Sequence, residues 1–125
     1  MKILCGTDII EVSRIKEAIE RKGSKFLDKI YTPKEIEYCE GKGDFKYYNY
    51  AGRFAAKEAI FKAVSSLLEN KSDISWLNSQ VINSQDGHPR VEFLDIEIDK
   101  LQNIEISISH CKEYAVAMAI VTVNT

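Results

Sequence analysis

Apolar side chains change their spacing several times along this chain, and each change predicts an element. Ile3 to Ile10 is apolar enough for a buried strand. From Glu11 to Lys22 the apolar positions Val12, Ile15, Ala18 and Ile19 follow helical spacing. Gly23-Ser24 interrupts that pattern, and Ser24 can cap a short helix holding Phe26, Leu27 and Ile30. Thr32-Pro33-Lys34-Glu35 predicts a further helix start, with Thr32 as N-cap, Pro33 in the first position and Glu35 closing a capping box. Gly41-Lys42-Gly43 should end it. The stretch from about Lys46 to Glu69 is rich in alanine, holds no proline and has Gly52 as its one glycine, so it reads as the main helix. Lys71 to Asn78 reads as irregular. Gln80–Asn83 and Arg90–Leu94 are predicted strands joined by the turn Asp86-Gly87-His88-Pro89. Asp95 to Leu101 is predicted as a short helix. Ile104, Ile106 and Ile108 alternate with polar residues, a half-buried strand. After a turn at His110 to Glu113, Tyr114 to Val123 forms a second strand that is apolar on both faces. An antiparallel strand in a small domain normally has one wet face. Its second apolar face therefore predicts a contact with a helix or another subunit.

Composition narrows the class. A length of 125 residues suits one domain, and 45% hydrophobic with 29% charged residues suits a globular chain. No apolar run approaches the ~18–20 residues that span a bilayer, and Met1 to Gly6 lacks the apolar stretch of a signal peptide. Cys5, Cys39 and Cys111 are odd in number, far apart and without CxxC spacing. That argues against a disulfide framework or a cysteine zinc site and points to a reducing cytoplasm. The net charge of −2 disfavours nucleic acid. It also hides an asymmetry: residues 11–34 carry seven basic and four acidic side chains, a stretch that could meet an acidic partner.

Two carboxylates stand where apolar residues belong. On a helical wheel, Glu58 falls within about 40° of the stripe formed by Tyr47, Tyr50, Phe54, Phe61 and Leu68. Asp8 shares the strand face of Leu4, Gly6 and Ile10. An unpaired carboxylate among apolar groups is costly. The two could share one hard cation, and magnesium fits because it takes few protein carboxylates and completes its shell with water and phosphate oxygens. Plainer assignments exist. Asp8-Ile9-Ile10-Glu11 also reads as a capping box, and Glu58 with Lys62 as a helix ion pair. Arg53, Lys57 and Lys62 put three cations within ten residues, which suits an anion better than a solvated face. His110 and the Gly87-His88-Pro89 turn carry little meaning alone.

Gly6-Thr7-Asp8, followed by Gly52-Arg53-Phe54-Ala55-Ala56-Lys57-Glu58-Ala59 and Lys62, resembles the paired signature of the 4′-phosphopantetheinyl transferases. The length, the Gly87-x-Pro89 turn and Ser107-Ile108-Ser109-His110 resemble the family's short bacterial type. The resemblance implies an α+β fold: a single domain over residues 1–125, with a small antiparallel sheet packed on a long central helix, assembling as trimers with active sites between subunits. It implies transfer of the 4′-phosphopantetheine arm of coenzyme A (CoA) to a serine of an apo acyl carrier protein, in support of fatty acid biosynthesis. By match to the family's motif, Asp8 and Glu58 would bind Mg²⁺, while Lys57, Lys62 and Arg53 would lie near CoA phosphates. His110 would reach the CoA phosphates from a neighbouring subunit, and Gly87 and Pro89 would wall the adenine pocket. Arg14, Arg21 and Lys25 would dock the acidic helix of the carrier protein, from one helix face if Gly23 leaves the helix unbroken. The residues leave open whether Glu58 or a metal-bound water takes the serine proton. Two rival classes are a non-catalytic module that binds an acidic protein and another Mg²⁺-dependent nucleotide enzyme, although no GxxxxGK[ST] loop is present.

Overall fold

The computed structural model describes residues 1–124. Five strands and four α-helices build it: β1 (Lys2–Glu11), α1 (Val12–Lys22), α2 (Ser24–Ile30), α3 (Pro33–Glu40), α4 (Lys46–Val64), β2 (Ser79–Asn83), β3 (Pro89–Phe93), β4 (Leu101–His110) and β5 (Tyr114–Val123). β1, β5 and β4 form an antiparallel sheet in that order, and β2 and β3 form a separate hairpin. This is the α+β arrangement of small antiparallel sheets around one long helix. Among the described residues, no helix is long and apolar enough to cross a membrane.

α4 lies on the three-stranded sheet, and small residues line the contact. Ala55, Ala56, Ala59 and Ala63 of α4 are buried together with Ala117, Ala119, Val121 and Val123 of β5. The N-terminal part of α4, through Tyr50 and Ala51, packs on a second cluster formed with α1, α2 and α3. β5 thus divides its two apolar faces. Ala115, Ala117 and Ala119 turn to α4, while Val116, Met118 and Ile120 are exposed on the other side beside Ile3 and Ile9 of β1. One predicted apolar contact is the helix; the other face is uncovered in a single chain.

The tightest point is Gly6. A Cβ placed there would stand 2.2 Å from the Ala59 carbonyl oxygen and 2.8 Å from the Ala63 nitrogen. Only a residue without a side chain lets β1 approach the α4 backbone this closely.

Two predicted elements change. α4 ends at Val64, and a 3₁₀ turn covers Ser65–Leu67. The Ser65 hydroxyl donates to the Lys62 carbonyl at 3.3 Å, a local bond of the kind that competes with helix propagation. The predicted helix over Asp95–Leu101 is absent. Asp95 and Lys100 have φ of 57° and 68°, the left-handed region, which cannot continue a right-handed helix. Ile96 and Ile98 instead alternate with exposed Glu97 and Asp99, a period of two. Gly23 at φ 57° separates α1 from α2 where the sequence predicts the break, with Gly23 rather than Ser24 in the N-cap position, so Lys25 does not share a helix with Arg14 and Arg21. The capping box at Thr32 and Glu35 forms as expected.

Replacing Gly6 by Ala should force α4 off the sheet. We expect a loss of about 1–3 kcal/mol or more of folding stability, read as a lower urea midpoint at unchanged slope; a midpoint equal to the parent's would contradict the close approach.

Candidate active site

The same approach carries chemistry. Asp8 lies two residues beyond Gly6 on the same face of β1; on α4, Lys62 is itself among the residues that Gly6 meets, and Glu58 adjoins Ala59, another of them. Lys62 Nζ reaches Asp8 Oδ1 at 3.1 Å and the Thr7 carbonyl at 3.0 Å. Lys62 thus crosses to β1 rather than pairing along its own helix with Glu58. Nor does Asp8 cap α1: it sits inside β1, and the N-cap residue Glu11 makes no side-chain capping bond. Burial raises the Glu58 carboxyl above its ordinary pKa, the nearby Asp8 charge raises it further, and Lys62 partly offsets both. Two carboxylates whose charges oppose each other, with one lysine between them, suit a hard divalent cation completed by water and substrate oxygens.

Glu58 also lines a cavity of about 270 Å³ with Lys57, Phe61, Lys71, Ile74, Ser75, Trp76 and Ser79. Its walls are mixed: aromatic and aliphatic carbon from Phe61, Ile74 and Trp76, with polar groups that include Lys57 and Lys71. The sequence pattern did not single out Lys71, Ile74, Ser75 or Ser79, because their segment is irregular and has no period to read.

The expected cations divide. Lys62 is half exposed, with 50% of its side chain accessible. Lys57 is buried, and its ammonium lies 2.7 Å from Glu35 Oε1, 2.8 Å from the Trp76 carbonyl and 2.7 Å from the Ser79 carbonyl. Burial pulls the Lys57 pKa down and Glu35 holds it up. Arg53 is buried too. Its guanidinium lies 4.2 Å from the Tyr38 ring centre and donates to Asn83 Oδ1 at 2.6 Å. Asn83 Nδ2 in turn donates to the Gly87 carbonyl at 2.9 Å, so Arg53 is tied to the Gly87–Pro89 turn. His88 in that turn leans toward Glu105 of β4, 3.7 Å away.

His110 is elsewhere. It ends β4, at the far edge of the sheet from β1, and stacks on Tyr48 with ring centres 5.1 Å apart. Tyr48 precedes Glu58 by ten residues of α4, about 15 Å along the axis. One chain therefore brings together Asp8, Glu58 and Lys62, links Arg53 to Gly87 and Pro89, and leaves His110 apart. Arg14 and Arg21 on α1 and Lys25 on α2 are exposed.

The raised Glu58 pKa has a consequence for the metal-free protein. The folded state holds that proton to higher pH than the unfolded state does, so stability falls as pH rises through the two values, and the full cost remains at neutral pH. Glu58→Gln should therefore unfold at higher denaturant than the parent at pH 7, with the gap closing below about pH 4. A variant less stable than the parent at pH 7 would refute this.

The sequence is similar to known enzymes over nearly its whole length. The sequence model of the 4′-phosphopantetheinyl transferase superfamily matches residues 4–119. A holo-[acyl-carrier-protein] synthase of Ruminiclostridium cellulolyticum is 43% identical over 131 residues, covering 99% of this chain and 95% of that protein. One of Clostridium tetani is also 43% identical, covering 93% of this chain and 92% of its own. Among solved structures, the holo-(acyl-carrier-protein) synthase of Bacillus anthracis in complex with CoA (3′,5′-ADP) superposes with a TM-score of 0.78 at 35% identity, covering 97% of this chain and 96% of that one. The Helicobacter pylori enzyme in complex with coenzyme A gives 0.83 at 30% identity, covering 95% and 100%. With its Asp8–Glu58 pair, its long alanine-lined helix and these relatives, the chain belongs to the 4′-phosphopantetheinyl transferase superfamily, among enzymes of the holo-[acyl-carrier-protein] synthase type.

Proposed function

We propose that this chain transfers 4′-phosphopantetheine from CoA to a serine of an apo acyl carrier protein, releasing adenosine 3′,5′-bisphosphate. The observation that carries the reading is the Asp8–Glu58–Lys62 group at the edge of a cavity of about 270 Å³. In the transfer, the serine oxygen bonds to the phosphorus bearing the pantetheine arm, its proton passes to Glu58 or to a water, and the phosphoanhydride bond to the nucleotide breaks. Phosphoryl transfer depends on positioning and on charge neutralisation. Asp8 and Glu58 would hold Mg²⁺, which supplies positive charge to the diphosphate. Lys62, half exposed beside Asp8, adds a mobile cation on the same side. The aromatic and aliphatic cavity wall accepts the pantetheine arm and keeps water from it.

Carrier docking falls to the exposed basic residues Arg14, Arg21 and Lys25, now spread over two helices rather than one face. Their charge complements an acidic helix. A role in fatty acid biosynthesis follows from the carrier, and three free cysteines suit a cytoplasmic setting.

A homotrimer completes the reading. Ile3, Ile9, Val116, Met118 and Ile120 are 60%, 63%, 38%, 48% and 43% exposed on the outer sheet face, an apolar patch that a second copy of the chain would cover. Assembly would also let His110 serve the site of a neighbour, which a single chain does not allow.

Two experiments test these points. Incubated with CoA, Mg²⁺ and apo carrier, the enzyme should add one phosphopantetheine to the carrier by intact mass; chelator or Glu58→Gln should abolish the gain, and full transfer by that variant would remove the metal assignment. If sites are shared between subunits, Glu58→Gln and His110→Ala chains, each inactive alone, should recover about a quarter of the activity when unfolded and refolded together in equal amounts. No recovery in verified mixed trimers would place each site within one chain.

A further inference from the structure

A buried ion pair that phosphoryl transfer does not call upon lies directly behind the candidate site. Glu35, at the first turn of α3, is fully buried, and Lys57 is 3% exposed. The Glu35 carboxylate accepts from the Lys57 ammonium at 2.7 Å, the Thr32 nitrogen at 2.8 Å and the Val81 nitrogen at 2.8 Å. The Lys57 ammonium gives its two other protons to the carbonyls of Trp76 and Ser79. All three donors are thus used, and both carbonyls belong to one short segment leading into β2. That segment is a wall of the cavity that Glu58 lines, and Glu58 follows Lys57 in α4. Trp76 is held further by its ring, 4.8 Å from the ring centre of Phe54. Turning Lys57 toward a phosphate would break these bonds and leave Glu35 as an uncompensated buried charge.

We infer that Lys57 is a positioning residue rather than a phosphate ligand: with Glu35 it ties the Trp76–Ser79 segment to α4 and so sets the width of the cavity beside Glu58 that receives the pantetheine arm. This rests on the proposed reading that the cavity takes CoA. The sequence suggested a different role, because Lys57 stands among cations next to a metal-binding glutamate, and its partner Glu35 is explained locally by a capping box.

Trp76 is the chain's one tryptophan, so its emission reports on the tied segment. Lys57→Met alone would strand the Glu35 charge, and the variant to use is Glu35→Gln/Lys57→Met, which removes both charges at similar volume. With its fold verified by circular dichroism, this variant should show red-shifted Trp76 emission and a KM for CoA raised about tenfold, with kcat and the KM for carrier protein within about threefold of wild type. Trp76 emission or a KM for CoA fixed at the wild-type value would overturn the positioning role. Should the variant not fold, wild-type enzyme with ¹⁵N-labelled lysine decides: saturating CoA and Mg²⁺ should shift the Lys62 ammonium resonance and leave that of Lys57 in place, and a Lys57 shift as large as that of Lys62 would make it a ligand. Wild-type Trp76 emission that ignores saturating CoA while transfer proceeds would instead reject the cavity assignment itself.

Discussion

The contact between Gly6 and the backbone of α4 is the constraint on which the rest of the structure depends. A strand and a helix ordinarily keep a side-chain layer between them. Here the layer is reduced to alanines and, at one point, to nothing, since any Cβ at Gly6 would enter the Ala59 carbonyl. Two results follow from that single approach. The alanines of α4 and β5 can interdigitate as a dry core. The side chains just beyond the contact, Asp8 on β1 and Glu58 and Lys62 on α4, are pressed into one group at its edge. The site is thus a by-product of tight packing, and its geometry is as rigid as the core beneath it.

Charge is distributed around α4 according to burial. Lys62, at the exposed edge, pairs with Asp8 in a setting where an ion pair stabilises little and can exchange partners. Lys57, five residues earlier and facing inward, is enclosed by a carboxylate and two carbonyls. A buried pair of this kind contributes little net stability but specifies one arrangement, because breaking it is so costly. Mobile charge therefore lies where a substrate would arrive, and fixed charge lies where a wall must be held. Arg53 follows the second pattern, stacked on Tyr38 and joined through Asn83 to the Gly87 turn.

The residues that the family resemblance assigns to one site are spread along α4 in space. Asp8 and Glu58 lie toward its C-terminal half, and His110 lies against Tyr48 near its start. The apolar outer face of the sheet lies on the side away from α4 and is left uncovered by a single chain.

Much of this was legible in the order of residues alone. The strand at residues 3–10, the capped start of α3, the long alanine-rich helix and the doubly apolar last strand all come from local periodicity, which the chain displays directly. Asp8 and Glu58 were legible for a related reason: a carboxylate that breaks an apolar stripe is conspicuous wherever its partner lies. The period over Asp95–Leu101 is ambiguous in the sequence, because Ile96 and Ile98 alternate over too short a span to separate strand-like from helical spacing without the backbone angles at Asp95 and Lys100. Pairings between distant segments were decided only by tertiary structure. Lys62 chose Asp8 over Glu58, Lys57 chose Glu35, and Arg53 chose Asn83. Each cation had several candidate partners in the sequence. Which one it met depended on how closely β1, α3 and the β2–β3 hairpin packed on α4, and that distance is set by the whole core rather than by any neighbouring residue.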